Sequence, residues 1–290
     1  MSNLPFLPYG WGDLPARGSV PLTALILTRD EEANIDRCLA SLAWCSQLLV
    51  VDSGSTDRTT SLAIGAGADV VTNPWNGYGA QRQWALGCSY VANDWVWFVD
   101  ADEWASADLA AEIAHVVAEG RHEAYEHRLR LVFLGRWIAH CGWYPNSWVV
   151  RLGRREALSF DTAADVGERA VVAGTVSRLE NDIVDEDLKG LRSWLHKHVN
   201  YASMEAHRRG LRRQGTYRLA SEVHRPRSRT FLKEVIFPRV PLRPLALFVY
   251  MYLLREGFRD GRQGLAFCLL HAWHEFTIGQ LRREGRSTSG

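Results

Sequence analysis

Cysteine is scarce in this 290-residue chain and poorly placed for cross-linking. Cys38, Cys45, Cys88, Cys141 and Cys268 are odd in number and contain no C-x-x-C pair, which excludes a disulfide framework and a zinc signature. A reducing cytosol is the expected compartment. No basic start followed by an apolar run opens the chain, so no signal peptide is expected. No stretch reaches the ~18 apolar residues of a spanning helix. A net charge of +1 gives no global attraction to nucleic acid, and none is expected as a partner. No G-x-G-x-x-G follows the first apolar strand and no G-x-x-x-x-G-K-[ST] occurs, so dinucleotide and P-loop readings lose ground.

What is present is a globular composition, 47% hydrophobic and 23% charged. Strand and helix patterns alternate over residues 22–119. Leu22–Leu27, Gln47–Val51, Asp69–Thr72 and Trp95–Val99 read as strands. Helical spacing follows Thr28-Arg29-Asp30-Glu31, the polar turn Asp52–Thr59, and the loop Asn76–Ala80. Thr28 or Asp30 is the expected cap of the first helix, and Asp57 suits a turn or cap. Such alternation implies βαβ units, a parallel sheet and strand ends gathered on one edge. Residues 1–20 read as an irregular arm, 21–187 as an α/β domain, and 188–290 as a helical, Arg-rich appendage.

The chain is organised around Asp94–Glu103. Five apolar residues, Trp95–Val99, end abruptly in Asp100-Ala101-Asp102-Glu103, as a strand buried on both faces would. In an open α/β sheet, ligands bind beyond the carboxyl ends of the strands. In extended chain Asp100 and Asp102 point the same way. An oxygen-only pair so placed suits Mg2+ or Mn2+, which could bridge to a diphosphate. Twelve Trp offer aromatic faces for sugars or bases, or simply core packing.

Taken together, Thr28-Arg29-Asp30-Glu31, Val51–Asp57, Gly79-Ala80-Gln81-Arg82-Gln83 and Asp100–Glu103 resemble the family 2 glycosyltransferases of the GT-A fold. Within them the chain is most similar to bacterial enzymes related to the lipopolysaccharide core β-1,4-glucosyltransferase. Phe133–Ile138, Cys141–Pro145 and Arg255–Gly264 also resemble that subgroup. The resemblance implies a Rossmann-like, mostly parallel sheet and an inverting transfer from a nucleoside diphosphate sugar, UDP-linked in most such enzymes. It implies that Thr28, Arg29 and Glu31 line the nucleoside pocket, that Asp52 accepts from the base edge, and that Arg82, Asp100 and Ala101 meet the donor. Asp100 and Asp102 would hold the metal. Glu168 would be the catalytic base, although relatives carry Val-His-Glu where this chain has Val166-Gly167-Glu168. Asp185 stands where relatives have a histidine that completes the metal shell, and could still ligate through oxygen. Glu103 is expected to buttress the strand end.

Leu188–Arg209 reads as a helix with Leu191, Trp194, Leu195, Val199 and Ala202 on one face. Residues 208–229 hold eight Arg. Leu245–Leu254 and Leu265–Leu270 are apolar but too short to span a bilayer. With flanking Arg they suit the membrane interface, and a peripheral place at the inner face of the cytoplasmic membrane is expected, with a lipid-linked glycan as acceptor. The rival readings are a non-catalytic membrane-associated protein that keeps the fold, and a polyprenyl-phosphate glycosyltransferase. The second would want longer apolar helices after residue 230.

Overall fold

The computed structural model describes residues 14–162, 170–213 and 242–287. Most of the expected N-terminal arm, residue 168, and 214–229 of the Arg-rich stretch lie outside them. The chain divides into two units. The first comprises residues up to 130, 147–162 and 170–188; the second comprises 131–146 and the chain from 189 on.

The first unit is the expected α/β layer. Its strands are β1 (Val20–Thr28), β2 (Cys45–Asp52), β3 (Asp69–Thr72), β4 (Trp95–Asp100), β5 (Glu103–Trp104) and β6 (Ala124–Phe133). β7 (Arg136–Trp137) follows in the second unit, then β8 (Trp148–Arg154), β9 (Leu158–Phe160), β10 (Ala170–Val172), β11 (Val176–Arg178) and β12 (Ile183–Asp185). The helices between them are α1 (Ile35–Ser41), α2 (Thr59–Gly65), α3 (Tyr78–Gly87) and α4 (Ala107–Glu119). The sheet runs β3-β2-β1-β4-β8-β6-β12-β5. β3, β2, β1 and β4 are parallel, and β8 joins β4 antiparallel.

Period-two alternation sends the strands' side chains to two cores. Leu22, Ala24, Ile26, Trp95, Trp97 and Val99 face α1 and α4, while Leu25, Val96 and Phe98 face α3. Burial on both faces is why β4 is a continuous apolar run. Trp44, Trp95, Trp97 and Trp104 are all buried, so tryptophan near the strand end serves packing. All five cysteines are free and buried. The expected cap of α1 is corrected. Its N-cap is Asn34, with no side-chain capping bond. Thr28 and Asp30 are drawn instead to the loop that follows β2.

His127 on β6 is fully buried, and its Nε2 accepts from Trp97 Nε1 at 3.1 Å. Burial, with Arg151 adding to it, pushes the imidazole down from 6.5 to about 3. The folded protein refuses a proton that the unfolded chain takes up, so stability rises with pH across that window. The expected loss from His127 is about 1.4 kcal/mol for each pH unit below its ordinary value. Urea midpoints at about pH 6.5 and about pH 5 should differ less in His127→Gln than in the wild type. An unchanged difference would contradict this.

In the second unit, α5 (Gly190–Arg213), α6 (Arg243–Val249, running into a π-type turn Tyr250–Leu254) and α7 (Gly261–Ser287) carry the fold. Phe133, Ile138, Cys141, Met251, Phe267 and Cys268 form its core. The apolar face expected of α5 holds in part: Trp194 packs on the core of this unit and Ala202, with Ala206, is buried against Ile278, while Leu191 and Val199 are exposed. The segments around Cys141 and Arg255–Gly264 prove to be packing partners. The His140 backbone N–H donates to Asp260 at 2.9 Å, and its ring Nδ1 lies 2.8 Å from the same carboxylate. Gly264 is required there, because a Cβ would lie 2.1 Å from the Gly257 carbonyl oxygen.

Candidate functional site

The carboxyl ends of β1, β2 and β4 lie side by side, since Thr28 pairs in register with Asp52, and Leu27 with Asp100. The loops beyond them are laced together. Asp30 takes a left-handed backbone (φ 53) and accepts from Thr56 N at 2.7 Å, while its own N–H donates to Ser55 at 2.9 Å. Glu31 N donates to Thr59, and Glu32 N to Asp57. Asp57 also accepts from the Thr59 N–H and hydroxyl. Slight burial opposes, but these bonds hold the Asp57 carboxyl below its ordinary value. It is a turn residue at the start of α2. Arg29 is exposed at the rim.

Asp52 departs from expectation. It is 2% exposed, and its carboxylate accepts from Thr28 Oγ1 (2.9 Å), Gly54 N (2.9 Å), Ser55 N (2.8 Å) and Ser55 Oγ. A carboxylate has about four lone-pair sites, and here three of the donors come from its own turn and one from Thr28 on β1. In this arrangement Asp52 braces the turn after β2.

The strand-end carboxylates are also rearranged. β4 stops at Asp100, and Ala101 and Asp102 form a turn. The turn, not strand alternation, sets the acids. Glu103 folds back and accepts the Asp100 N–H at 2.9 Å, which confirms it as the buttress. β12 crosses antiparallel to β5, with Asp185 opposite Glu103, and Glu186 N donates to Asp102 O at 2.9 Å. The expected metal residues Asp100, Asp102 and Asp185 are thus drawn to one corner. Among the described residues, though, no three His, Cys, Asp or Glu side chains are grouped so as to hold an ion.

Two arginines answer these acids. Arg82, on α3, is 2% exposed and donates to Asp100 Oδ1 at 2.9 Å. Arg151, from the middle of β8, donates to Asp100 Oδ2 at 2.8 Å and to both oxygens of Glu103 at 2.8 Å. Burial pushes the Glu103 carboxyl well up, Arg151 opposes, and Asp100 and Asp185 add to the rise. The buried Cys38 thiol feels the same field: burial raises it, and Glu103, Asp102 and Asp100 raise it further.

Sequence reasoning missed Arg151, although an arginine inside the apolar run Trp148–Leu152 is a signal in itself, because a buried cation needs an anion. It also missed Asn34 and Arg37. Asn34 donates to Glu31 and Asp187, and Arg37 donates to Glu186 at 2.5 Å, tying the end of β12 to α1.

Glu168 lies outside the described residues, but the anchors of its segment are within them. β9 and β10 pair antiparallel, Phe160 with Ala170, so the chain between them leaves and returns at one place. Asp161 passes directly over α3: a Cβ on Gly79 would lie 2.1 Å from its carbonyl oxygen. Phe160 N donates to Gln83 at 2.8 Å. Phe160 and Asp161 are therefore held on the helix that carries Arg82.

Residues 23–135 match the family model described as glycosyl transferase family 2. This stretch is similar to family 2 glycosyltransferases. It includes every rim residue above except those on β8, β12 and the β9–β10 connection. An uncharacterized glycosyltransferase of Rickettsia bellii is 36% identical over 117 residues, covering 40% of this chain and 39% of that protein. The lipopolysaccharide core biosynthesis glycosyltransferase LpsC of Rhizobium meliloti is 40% identical over 89 residues, covering 29% of this chain and 32% of that protein. The chain thus spans about two fifths or less of these relatives' length. A solved glucosyl-3-phosphoglycerate synthase of Mycobacterium tuberculosis, in complex with Mn2+, uridine diphosphate and glucosyl-3-phosphoglycerate, covers 54% of this chain and 64% of its own. Its identity is 21% and its TM-score 0.36, a likeness too weak to carry an argument about function.

Proposed function

We propose that the chain is an inverting glycosyltransferase that moves a sugar from a UDP-linked donor to a lipid-linked cell-surface glycan precursor, such as lipopolysaccharide core or exopolysaccharide. One observation carries the reading. Within and beside the stretch similar to family 2 glycosyltransferases, a rim of carboxylates at parallel strand ends is matched by two buried guanidiniums, Arg82 and Arg151. An anionic diphosphate can take a guanidinium that now pairs with Asp100.

Thr28, Arg29 and Glu31 line the nucleoside side, with Asp52 holding the turn between them. Arg82 meets the diphosphate beside Asp100 and Ala101. Asp100 and Asp102, with Asp185 nearby, are the oxygen donors that would take Mg2+ or Mn2+, once Asp100 gives up the guanidiniums that now hold both its oxygens. When bound, the ion would supply Lewis-acid stabilisation of the departing diphosphate. Glu168 takes the proton of the acceptor hydroxyl as it attacks the anomeric carbon. Gly167 precedes it, where relatives of the subgroup carry a histidine. No helix among the described residues is long and apolar enough to cross a membrane. The acceptor would be met peripherally, at the inner face of the cytoplasmic membrane.

A thermal-shift panel of UDP, GDP, CDP and dTDP sugars, each with and without Mn2+ or Mg2+, tests the donor class. The uridine set with metal should raise the melting midpoint, since ligand at about a hundred times Kd adds about 2.7 kcal/mol. A panel without any shift would refute the reading.

A further inference from the structure

We propose that the exposed apolar face of α6 docks on an anionic lipid bilayer surface. The proposal specifies the membrane part of the reading above and is independent of the donor chemistry. Leu245, Val249 and Leu253 recur every four residues along α6 and its π-type turn, and all three are exposed, as are Leu242 just before the helix and Leu254 at its end. This face is uncovered: Leu242 is 74% exposed, Leu253 55% and Leu254 73%. The opposite face is equally apolar, because Leu247, Phe248, Met251 and Tyr252 pack in the core of this unit. A helix apolar all round has one face in its own unit and needs a partner for the other.

Length decides between crossing and lying flat. Arg243–Leu254 rises ~18 Å at ~1.5 Å per residue, against a hydrocarbon core of ~30 Å. Such a helix can lie in the interface but cannot span it.

Charge decides the kind of surface. The residues that lead into α6 are strongly basic: 208–229 hold eight Arg and a single acid, Glu222. Arg262 is exposed a few residues beyond the apolar row. The acids of this region are turned away or paired: Asp260 is buried, and Glu275 is held by Arg209 and Arg243. Glu256 pairs with Arg259. Leucines beside arginines match acyl chains beneath anionic headgroups. A second copy of the chain would match the leucines but would bring the same arginines against them, at a repulsive cost.

The experiment is co-sedimentation of the full chain with phosphatidylcholine vesicles, with and without phosphatidylglycerol. Wild type is compared with Leu253→Ser/Leu254→Ser, which alters exposed side chains only. Wild type should bind the phosphatidylglycerol vesicles, less as NaCl rises, and the double variant should bind at least about tenfold more weakly. UDP affinity, measured on both, should not change, so failure here is separable from failure of the donor reading. No binding to anionic vesicles, or equal binding by both proteins, would overturn the proposal. So would a dimer that the double variant dissociates without any vesicle binding, which would assign the face to a second copy.

Discussion

Replacing Glu168 with Gln is expected to lower kcat by about two to four orders of magnitude, the usual contribution of a positioned general base. UDP-sugar affinity should stay within about twofold, because the residue's proposed work is on the acceptor. The split matters more than the loss. Gln keeps the size and hydrogen-bonding capacity of Glu but cannot take the acceptor proton. The described residues on either side of it are held by the β9–β10 pairing, Phe160 with Ala170. A neutral replacement should therefore leave the fold alone. A variant with wild-type kcat would remove Glu168 from the mechanism. Asp161, beside α3 and described in place, would then be the next carboxylate to test.

Arg151→Met is expected to be the most destabilising single change at the site. Arg151 is 9% exposed and holds both oxygens of Glu103, itself 2% exposed. Truncating one partner leaves a buried carboxylate without its cation, which costs about 3–5 kcal/mol. For a chain of this size that is a fall in melting midpoint of roughly 10 °C. Asp100 loses its Oδ2 partner in the same step, so the variant should also bind nucleotide poorly. Arg151→Met/Glu103→Gln separates the two effects. It removes the orphaned charge and should recover much of the stability while leaving Asp100 half-supported. If the single variant melts like the wild type, the buried pair is not what holds the strand end.

The parallel part of the fold was legible because its signals are local. The alternation of apolar residues along Leu22–Leu27 and the abrupt end of Trp95–Val99 both reflect burial, and burial is written in residue type. The packing of Cys141 against the Arg255–Gly264 turn could not be read, because it joins chain segments more than a hundred residues apart. The same holds for the corner made by β5 and β12, which sets Asp185 opposite Glu103.

At the site, residue identity was more legible than residue role. Asp52, Arg82, Asp100 and Asp102 were singled out from motif order, and the rim is where they fall. Yet Asp52 is spent on its own turn, and Arg82 is a buried partner of Asp100 where a helix-surface arginine would face solvent. Spacing along a strand suggested parallel carboxylates; a turn at Ala101-Asp102 supplied the geometry. Hydrogen-bond satisfaction decided these points. It depends on which donors the tertiary structure delivers, and that is not a property of the motif.

The most direct test of the central claim is calorimetric titration of UDP into the wild type and Asp102→Ala, each with and without Mn2+. The account predicts binding to the wild type that needs the metal and a loss of at least about tenfold, or about 1.4 kcal/mol, in the variant. Equal binding by both proteins, or wild-type binding indifferent to Mn2+, would contradict a metal-assisted diphosphate site at the end of β4.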